Sequence, residues 1–398
     1  MKRLLLVWIG LALSWSALAY GELIVRLRPG VDPQQIAQDY DVIYRDGAPG
    51  GLFFLYEVPG KRDPHVTQQQ MQLDQRIVWA EDNLTVEMPE HSGAGKANVI
   101  GAIGNDNEFY EMNRNLLNQI RWLPPLTPFP TREIRVAILD TGLSPHLPQL
   151  WARVRASYNA VEGDDPGYDL PRNQDTSGNG DPDEGAGHGT MVTGVVAQLA
   201  PHSKFIVARV ADSDGIGTAW TLVKGLAFAV QTGANVINIS LGSLQRIPAM
   251  SEMVDYVSVE HSISIVAAAG NNGLRARFFP AGISDCISVT GVDENDIKAP
   301  FANWDSSVDH CAPATGIRSY YWNGKWAVWS GTSFAAPMCT AAVAAAFEVG
   351  GTRSPETIRA AFDIYGDNVD GRNPEYDGEI GLRLNFTRFV IGVASSLG

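Results

Sequence analysis

The sequence has few cysteines, relatively few basic residues and no long hydrophobic runs. Cys286, Cys311 and Cys339 are the three cysteines among 398 residues, too few for a disulfide scaffold, so a hydrophobic core must hold the fold. Lys and Arg number 30 against 44 Asp and Glu, a net charge of −14. This acidic balance disfavours a nucleic-acid partner, because phosphate binding needs a basic face.

The N-terminus has the pattern of an export signal. Lys2 and Arg3 precede an apolar run from Leu4 to Leu13, and Ala17-Leu18-Ala19 follows as a small-residue cleavage site. The run is shorter than the ~20 residues of a membrane-spanning helix. We therefore predict a signal peptide over 1–19, a secreted (extracellular or periplasmic) product, and no membrane association after its removal.

Residues 20–90 read as a small α+β domain. "ELIVRL", "LFFLYEV" and "VWAEDNLTVEM" are typical of strands, and "DPQQIAQDY" and "VTQQQMQLDQ" of helices. This βαββαβ-like order predicts a ferredoxin-like module. Residues 91–108 are rich in Gly, Ala and Asn without apolar periodicity, which favours a linker.

Residues 109–398 have the alternation of an α/β domain. Apolar runs such as "IRVAIL", "FIVARV", "NVINIS" and "SISIVAAA" alternate with helical segments. Continuous apolar strands separated by helices predict a parallel sheet covered by helices on both faces.

Four polar residues lie where such strands end or helices begin. Asp140 and Asn271 follow apolar runs, and His188 and Ser333 precede apolar helical segments. Each alone is better explained as a turn or cap residue. Together they supply the nucleophile, base, orienting carboxylate and oxyanion donor of acyl transfer, in the chain order Asp, His, Ser.

Five segments carry a family resemblance. "VAILDTG", "GHGTMVTG", "VINISLGS", "VAAAGNNG" and "SGTSFAAP" resemble the subtilisin-like (S8) serine peptidases, in sequence and in order. The resemblance implies a secreted serine endopeptidase with a subtilisin-like sheet. Ser333 would attack the peptide bond, Asp140 and His188 would act as the base system, and Asn271 would donate to the oxyanion. It also implies that the chemistry needs no cofactor, that polypeptides are the substrates, and that the protein is a monomer.

The resemblance also implies a substrate cleft and a zymogen. The residues expected to flank the substrate are Asp214, Gly215, Ile216, Gly217, Ser240, Leu241, Gly242, Ala268, Ala269 and Gly270. An edge strand at 214–217 would pair with the substrate backbone. The 20–90 module would be a propeptide that inhibits its own enzyme until self-cleavage between 88 and 108.

Phe278 and Phe279 lie where the floor of the P1 pocket would form. They predict a shallow pocket for small or medium apolar side chains, with core packing as the alternative.

Two further expectations concern a metal and the thiols. Acidic and amide side chains before His188 could bind a structural Ca²⁺, with a solvated acidic loop as the alternative; they are Asp169, Asp175, Asn179, Asp181, Asp183 and Glu184. By resemblance, Cys286 and Cys311 lie on neighbouring strands and could form a disulfide. The alternative is three buried thiols.

Two other functions remain open on the residues alone. A pseudoprotease would normally lack one of the four site residues, and none is missing. A Ser-His-Asp esterase typically has its serine in G-x-S-x-G, whereas Ser333 lies in Gly-Thr-Ser-Phe-Ala.

Overall fold

The computed structural model describes residues 21–60, 62–92, 95–104, 107–124, 132–163 and 165–395. The predicted signal peptide, 1–19, lies outside these ranges.

The N-terminal unit is a four-stranded antiparallel sheet with two helices, in the strand order β2-β3-β1-β4. Its elements are β1 (Glu22–Leu27), α1 (Pro33–Asp39), β2 (Ile43–Gly47), β3 (Phe53–Glu57), α2 (Pro64–Gln72) and β4 (Ile77–Asp82). Asp32 and Asp63 cap the two helices, each just before a proline at the first helical position. The unit has the predicted order of elements and its own hydrophobic core.

The chain then runs through short elements into the larger unit. These are β5 (Thr85–Glu87), a 3₁₀ turn (Pro89–Ser92), β6 (Asn98–Ala102), α3 (Glu108–Met112) and α4 (Arg114–Gln119). The larger unit comprises β7 (Arg135–Asp140), α5 (Pro148–Trp151), β8 (Val154–Asn159), α6 (His188–Leu199), β9 (Lys204–Arg209), β10 (Ile216–Thr218), α7 (Ala219–Gln231), β11 (Val236–Ile239), α8 (Pro248–Asp255), β12 (Ser264–Ala268), β13 (Cys286–Val292), β14 (His310–Pro313), β15 (Ile317–Tyr320), β16 (Lys325–Trp329), α9 (Thr332–Gly350), α10 (Pro355–Tyr365), β17 (Leu382–Arg383) and α11 (Phe386–Ser395).

The larger unit is built on an eight-stranded parallel sheet in the order β17-β14-β13-β12-β11-β7-β9-β8. Every residue of β11, β12 and β13 is buried, as expected where helices cover both faces. The predicted parallel α/β sheet is confirmed. The carboxyl ends of parallel strands meet at one edge, which is where such sheets place their ligands.

The predicted linker contains a strand. All five residues of β6 are exposed, and β6 pairs antiparallel with β16 at the edge of a three-stranded sheet. Backbone hydrogen bonds rather than apolar side chains hold this strand. The sequence therefore lacks the hydrophobic pattern that would have predicted it.

Helix α9 crosses the core of the larger unit. Its length and apolar composition would suffice for a membrane span, but 83% of its apolar 18-residue stretch is buried inside the protein. An Ala-rich helix surrounded by other elements needs no polar face.

All three cysteines are free and buried. Cys311 on β14 lies opposite Thr290 on β13, whereas Cys286 begins β13 four positions earlier. The expected Cys286–Cys311 bridge is therefore wrong, and the alternative of three buried thiols is confirmed. Strand neighbours were inferred correctly, but their register separates the two sulfurs.

Candidate active site

The four polar residues singled out in the sequence converge at the carboxyl edge of the sheet. Asp140 is the last residue of β7, and Asn271 follows β12. His188 begins α6 and Ser333 is the second residue of α9. All four are almost completely buried in this chain.

A carboxylate orients the histidine. His188 Nδ1 lies 2.7 Å from Asp140 Oδ1, which also accepts the Thr141 N–H at 2.8 Å. The imidazole packs edge-on to Trp329 and beside Phe334, with ring centroids 5.4 Å away in each case. These contacts fix the orientation of the ring.

The amide of Asn271 is held in a defined orientation. Its Oδ1 accepts the N–H and the hydroxyl of Thr332, both at 2.9 Å. Its Nδ2 is thereby left to donate into the cleft beside Ser333. A fixed amide donor next to a serine hydroxyl is one requirement of an oxyanion site.

A residue not singled out in the sequence, Glu90, joins these groups. Its Oε2 accepts the Ser333 hydroxyl at 2.9 Å and lies 3.1 Å from His188 Nε2. Its Oε1 accepts from Asn271 Nδ2 at 3.0 Å. The Glu90 carboxylate is fully buried, so one side chain from the 3₁₀ turn contacts Ser333, His188 and Asn271 together.

The two carboxylates around His188 change its protonation. Burial disfavours a charged imidazole, but Asp140 and Glu90 outweigh it and raise the pKa of His188 to about 10. This raised pKa favours the imidazolium form of the ring while Glu90 is in place. In that state it cannot accept a proton from Ser333.

Asp169 has a supporting role that the sequence did not reveal. The sequence places Asp169 with the acidic loop, but the residue is buried, and its carboxylate accepts from Gly187 N, Thr190 N and Thr190 Oγ1. These donors lie at the start of α6. Asp169 therefore satisfies backbone N–H groups that α6 leaves free at its start, and it holds the backbone that carries His188.

The chain's own segment before Glu90 fills the cleft as an added strand. β5 pairs antiparallel with β10, with Glu87 opposite Ile216 and Val86 opposite Gly217. On its other side, Glu87 and Gly242 exchange both backbone hydrogen bonds at 2.9 Å. Segment 85–87 thus lies between the two strands expected to flank a substrate, and Met88 N donates to Gly215 O at 3.0 Å.

The remaining expected subsite residues differ in what they contact. Ser240 Oγ donates to the Ser333 carbonyl, and Leu241 is in the core. Ala268, Ala269 and Gly270 lead from β12 to Asn271 and are buried. Asp214 lies outside β10, and its carboxylate accepts from Ser177 N and Glu184 N.

Phe278 packs against two glycines of the cleft wall. A Cβ on Gly242 would lie 2.6 Å from the Phe278 ring, and one on Gly270 would lie 3.0 Å from it. Phe278 is 4% exposed. Its ring therefore fills space between the segments expected to flank the P1 side chain.

Most of the acidic residues suggested for Ca²⁺ accept hydrogen bonds from the backbone of their own loop. Asp183 accepts three backbone N–H groups, of Arg172, Asn173 and Gln174. Asp175 accepts from Gly180 N, Asn179 Oδ1 from Asp181 N, and Asp181 pairs with Lys96. Backbone N–H groups thus satisfy many of the oxygens of this loop, which fits the alternative of a solvated acidic loop, and calcium binding stays a prediction.

The N-terminal unit is attached to the larger unit at two helix starts. Glu81 Oε1 accepts the Ala249 N–H of α8 at 2.6 Å, and Asn83 Oδ1 accepts the Trp220 N–H of α7 at 2.9 Å. Burial raises the pKa of Glu81 to about 7, against the smaller opposing effect of the Ala249 hydrogen bond. The two contacts place β5 and Glu90 in the cleft.

The parallel sheet and the Asp-His-Ser constellation define a serine peptidase, and sequence comparison gives its family. The profile of the Subtilase family matches residues 131–362, and the chain belongs to this family. It is 34% identical to thermitase of Thermoactinomyces vulgaris over 247 residues, which are 60% of this chain and 82% of that protein. It is also 34% identical to a thermophilic serine proteinase of Bacillus sp. (strain AK1), over 59% of this chain and 57% of that protein. Subtilisin BL of Lederbergia lenta is 32% identical over 53% of this chain and 75% of its own length. The chain is therefore a serine-type endopeptidase by family, as the motifs predicted.

Solved structures show the same fold. Fervidolysin from Fervidobacterium pennivorans aligns with 95% of this chain and 62% of its own, with a TM-score of 0.70 at 21% identity. A cold-adapted subtilisin-like serine proteinase aligns with 68% of this chain and 97% of its own, with a TM-score of 0.58 at 24% identity.

Proposed function

We propose that this protein is a secreted subtilisin-like endopeptidase made as a latent precursor, in which the N-terminal unit inhibits the site until self-processing. The observation that carries the proposal is the triple contact of Glu90 with Ser333, His188 and Asn271. Secretion is supported by the pattern of residues 1–19.

In the active form, Glu90 must leave the cleft. Without that carboxylate, His188 loses one of the two charges that keep it protonated, and its Nε2 becomes a base for Ser333. The Ser333 hydroxyl oxygen then attacks the substrate carbonyl carbon while its proton passes to His188. Asp140 stabilises the imidazolium that forms.

The oxyanion forms near the place that Glu90 Oε1 now occupies. Asn271 Nδ2 would donate to it, together with the Ser333 backbone N–H in the first turn of α9. The proton held by His188 next passes to the leaving amine, and water hydrolyses the acyl-enzyme by the reverse sequence. Side chains and backbone supply every group in these steps, so they require no cofactor.

The substrate would bind where β5 lies now. The backbone of the substrate would pair with β10 and with Gly242. Because this pairing contacts the main chain and not the side chains, we expect the enzyme to accept many different sequences. Self-processing would require the 3₁₀ turn at 89–92 to straighten, because a substrate between two flanking strands must be extended. We propose that this rearrangement precedes cleavage within 88–108.

Purified wild-type and Ser333→Ala chains test the proposal. The wild-type chain should shorten, label with a fluorophosphonate and degrade casein, while Ser333→Ala should remain at full length. N-terminal sequencing of the shortened form would locate the cut. An esterase would hydrolyse short acyl esters but not casein. Shortening of Ser333→Ala in a host without other proteases would contradict self-processing.

A further inference from the structure

A second cluster of polar side chains lies beside the 3₁₀ turn, apart from the catalytic residues. His91 of the turn faces Glu184, which precedes α6, and Asp214, which precedes β10. One potential ligand atom of each lies within 4.8 Å of the others. Among the residues described, this is the group whose side chains converge as metal ligands would.

The state of His91 points independently to a ligand. Its side chain is 10% exposed, and neither ring nitrogen has a hydrogen-bond partner within the described part of the chain. The nearest carboxylate of its own segment, Glu87, has its Oε2 3.8 Å from Nδ1. A buried imidazole without a hydrogen bond is costly, and a bound ion would satisfy it.

The two carboxylates are already oriented. Asp214 is fully buried, and its two oxygens accept the N–H groups of Glu184 and Ser177. Each oxygen has a further lone pair, and hydrogen bonds of this kind hold ligands in place around a metal. Glu184 also pairs with Lys96 Nζ at 3.0 Å and accepts from Asn179. Lys96 would have to share or release Glu184 when an ion binds.

We propose that His91, Glu184 and Asp214 bind a divalent transition-metal ion of the zinc class. An imidazole nitrogen with two carboxylates suits zinc, whereas Ca²⁺ takes oxygen ligands. This inference rests on the proposed latency, because His91 follows Glu90 directly while the other two ligands belong to the larger unit. A bound ion would hold the inhibitory turn on the catalytic unit, and a cut after His91 would remove one ligand together with the N-terminal unit.

Metal binding can be measured without catalysis. The Ser333→Ala chain, freed of metal with a chelator, would be titrated with Zn²⁺ by calorimetry and with Co²⁺ by visible absorption. We expect one ion per chain and d–d absorption bands for Co²⁺. His91→Gln should weaken binding at least about ten-fold, the lower end of the range for disturbed metal sites. Glu184→Gln should also weaken it.

A matched control is His65→Gln, which changes an exposed histidine of the N-terminal unit and should bind zinc as tightly as the Ser333→Ala chain. Circular dichroism of each variant would verify that it folds. Absence of stoichiometric binding, or equal binding by His91→Gln, would overturn the site. Zinc should also slow the processing of the wild-type chain but not of His91→Gln. If the parent binds zinc through His91 and the wild-type chain has no peptidase activity, the metal site stands and the proposed function fails.

Discussion

Glu90 Oε2 lies 2.9 Å from Ser333 Oγ, between the nucleophile and the histidine that would activate it. The carboxylate belongs to an uncut chain and reaches the site with its side chain. The peptide bonds of the 3₁₀ turn are therefore not presented in the extended form of a substrate. This set of contacts is the basis of the proposed latency.

Replacing Glu90 with Gln should shorten the lag before self-processing. The change keeps the shape but removes the charge, and hydrogen bonds to charged groups contribute about 1.5–3 kcal/mol each. Loss of one such hydrogen bond corresponds to a change of roughly ten-fold or more in the equilibrium between the docked and undocked forms. The lag can be followed by gel and casein hydrolysis, with Glu57→Gln on the surface of the same unit as control. An unchanged lag would mean that β5 alone inhibits.

Asn271→Ala should leave a folded but slow enzyme. Loss of one oxyanion donor costs about 2.7–4 kcal/mol, or roughly 10² to 10³ in kcat, a range measured on subtilisin, which is itself a subtilase. Kinetics on a peptide substrate and circular dichroism would be compared with those of the wild-type enzyme. Failure of the variant to fold would indicate that the Thr332 contacts of Asn271 are its main role.

Docking of the N-terminal unit should weaken as the pH rises. The pKa of Glu81 is raised from 4.5 to about 7, and that of His188 from 6.5 to about 10. Both groups bind protons more tightly in the docked form. The stabilisation that each group provides is therefore complete below its ordinary pKa and is lost as the pH rises through its raised pKa. The thermal stability of Ser333→Ala should therefore fall first towards pH 7 and again towards pH 10.

Two variants separate these steps. Glu81→Gln should reduce the loss of thermal stability towards pH 7. Glu90→Gln should reduce the loss towards pH 10, because it removes one of the two charges facing His188. Identical profiles for all three proteins would show that neither group is linked to docking.

The mature enzyme should prefer small or medium apolar residues at P1. Phe278 fills space between Gly242 and Gly270, and Phe278→Leu should shift a peptide-library profile towards larger side chains. Strong preference of the wild-type enzyme for Arg or Lys would contradict a shallow pocket.

Denatured protein should titrate three thiols per chain, and a reductant should not change its stability, since all three cysteines are free. One thiol per chain would indicate a bridge that the structure lacks.

The sequence predicted the central sheet and the positions of Asp140, His188, Asn271 and Ser333, because apolar periodicity and strand ends are local signals. Glu90 carries no such signal, since it contacts residues 98, 181 and 243 positions away. Strand β6 could not be predicted from the sequence, because its side chains are exposed and its backbone pairing with β16 leaves no hydrophobic pattern. The disulfide prediction was wrong because it depends on the register of β13 and β14, which is set by how two distant strands align.

Fluorophosphonate labelling of the intact chain tests latency most directly. Intact and processed forms separate on a gel, so the labelling rate of Ser333 can be read for each in one sample. The intact wild-type band should label at least about ten-fold more slowly than the processed band, and intact Glu90→Gln should label faster than intact wild type. Equal labelling of intact and processed wild-type bands would contradict the claim that Glu90 blocks the site.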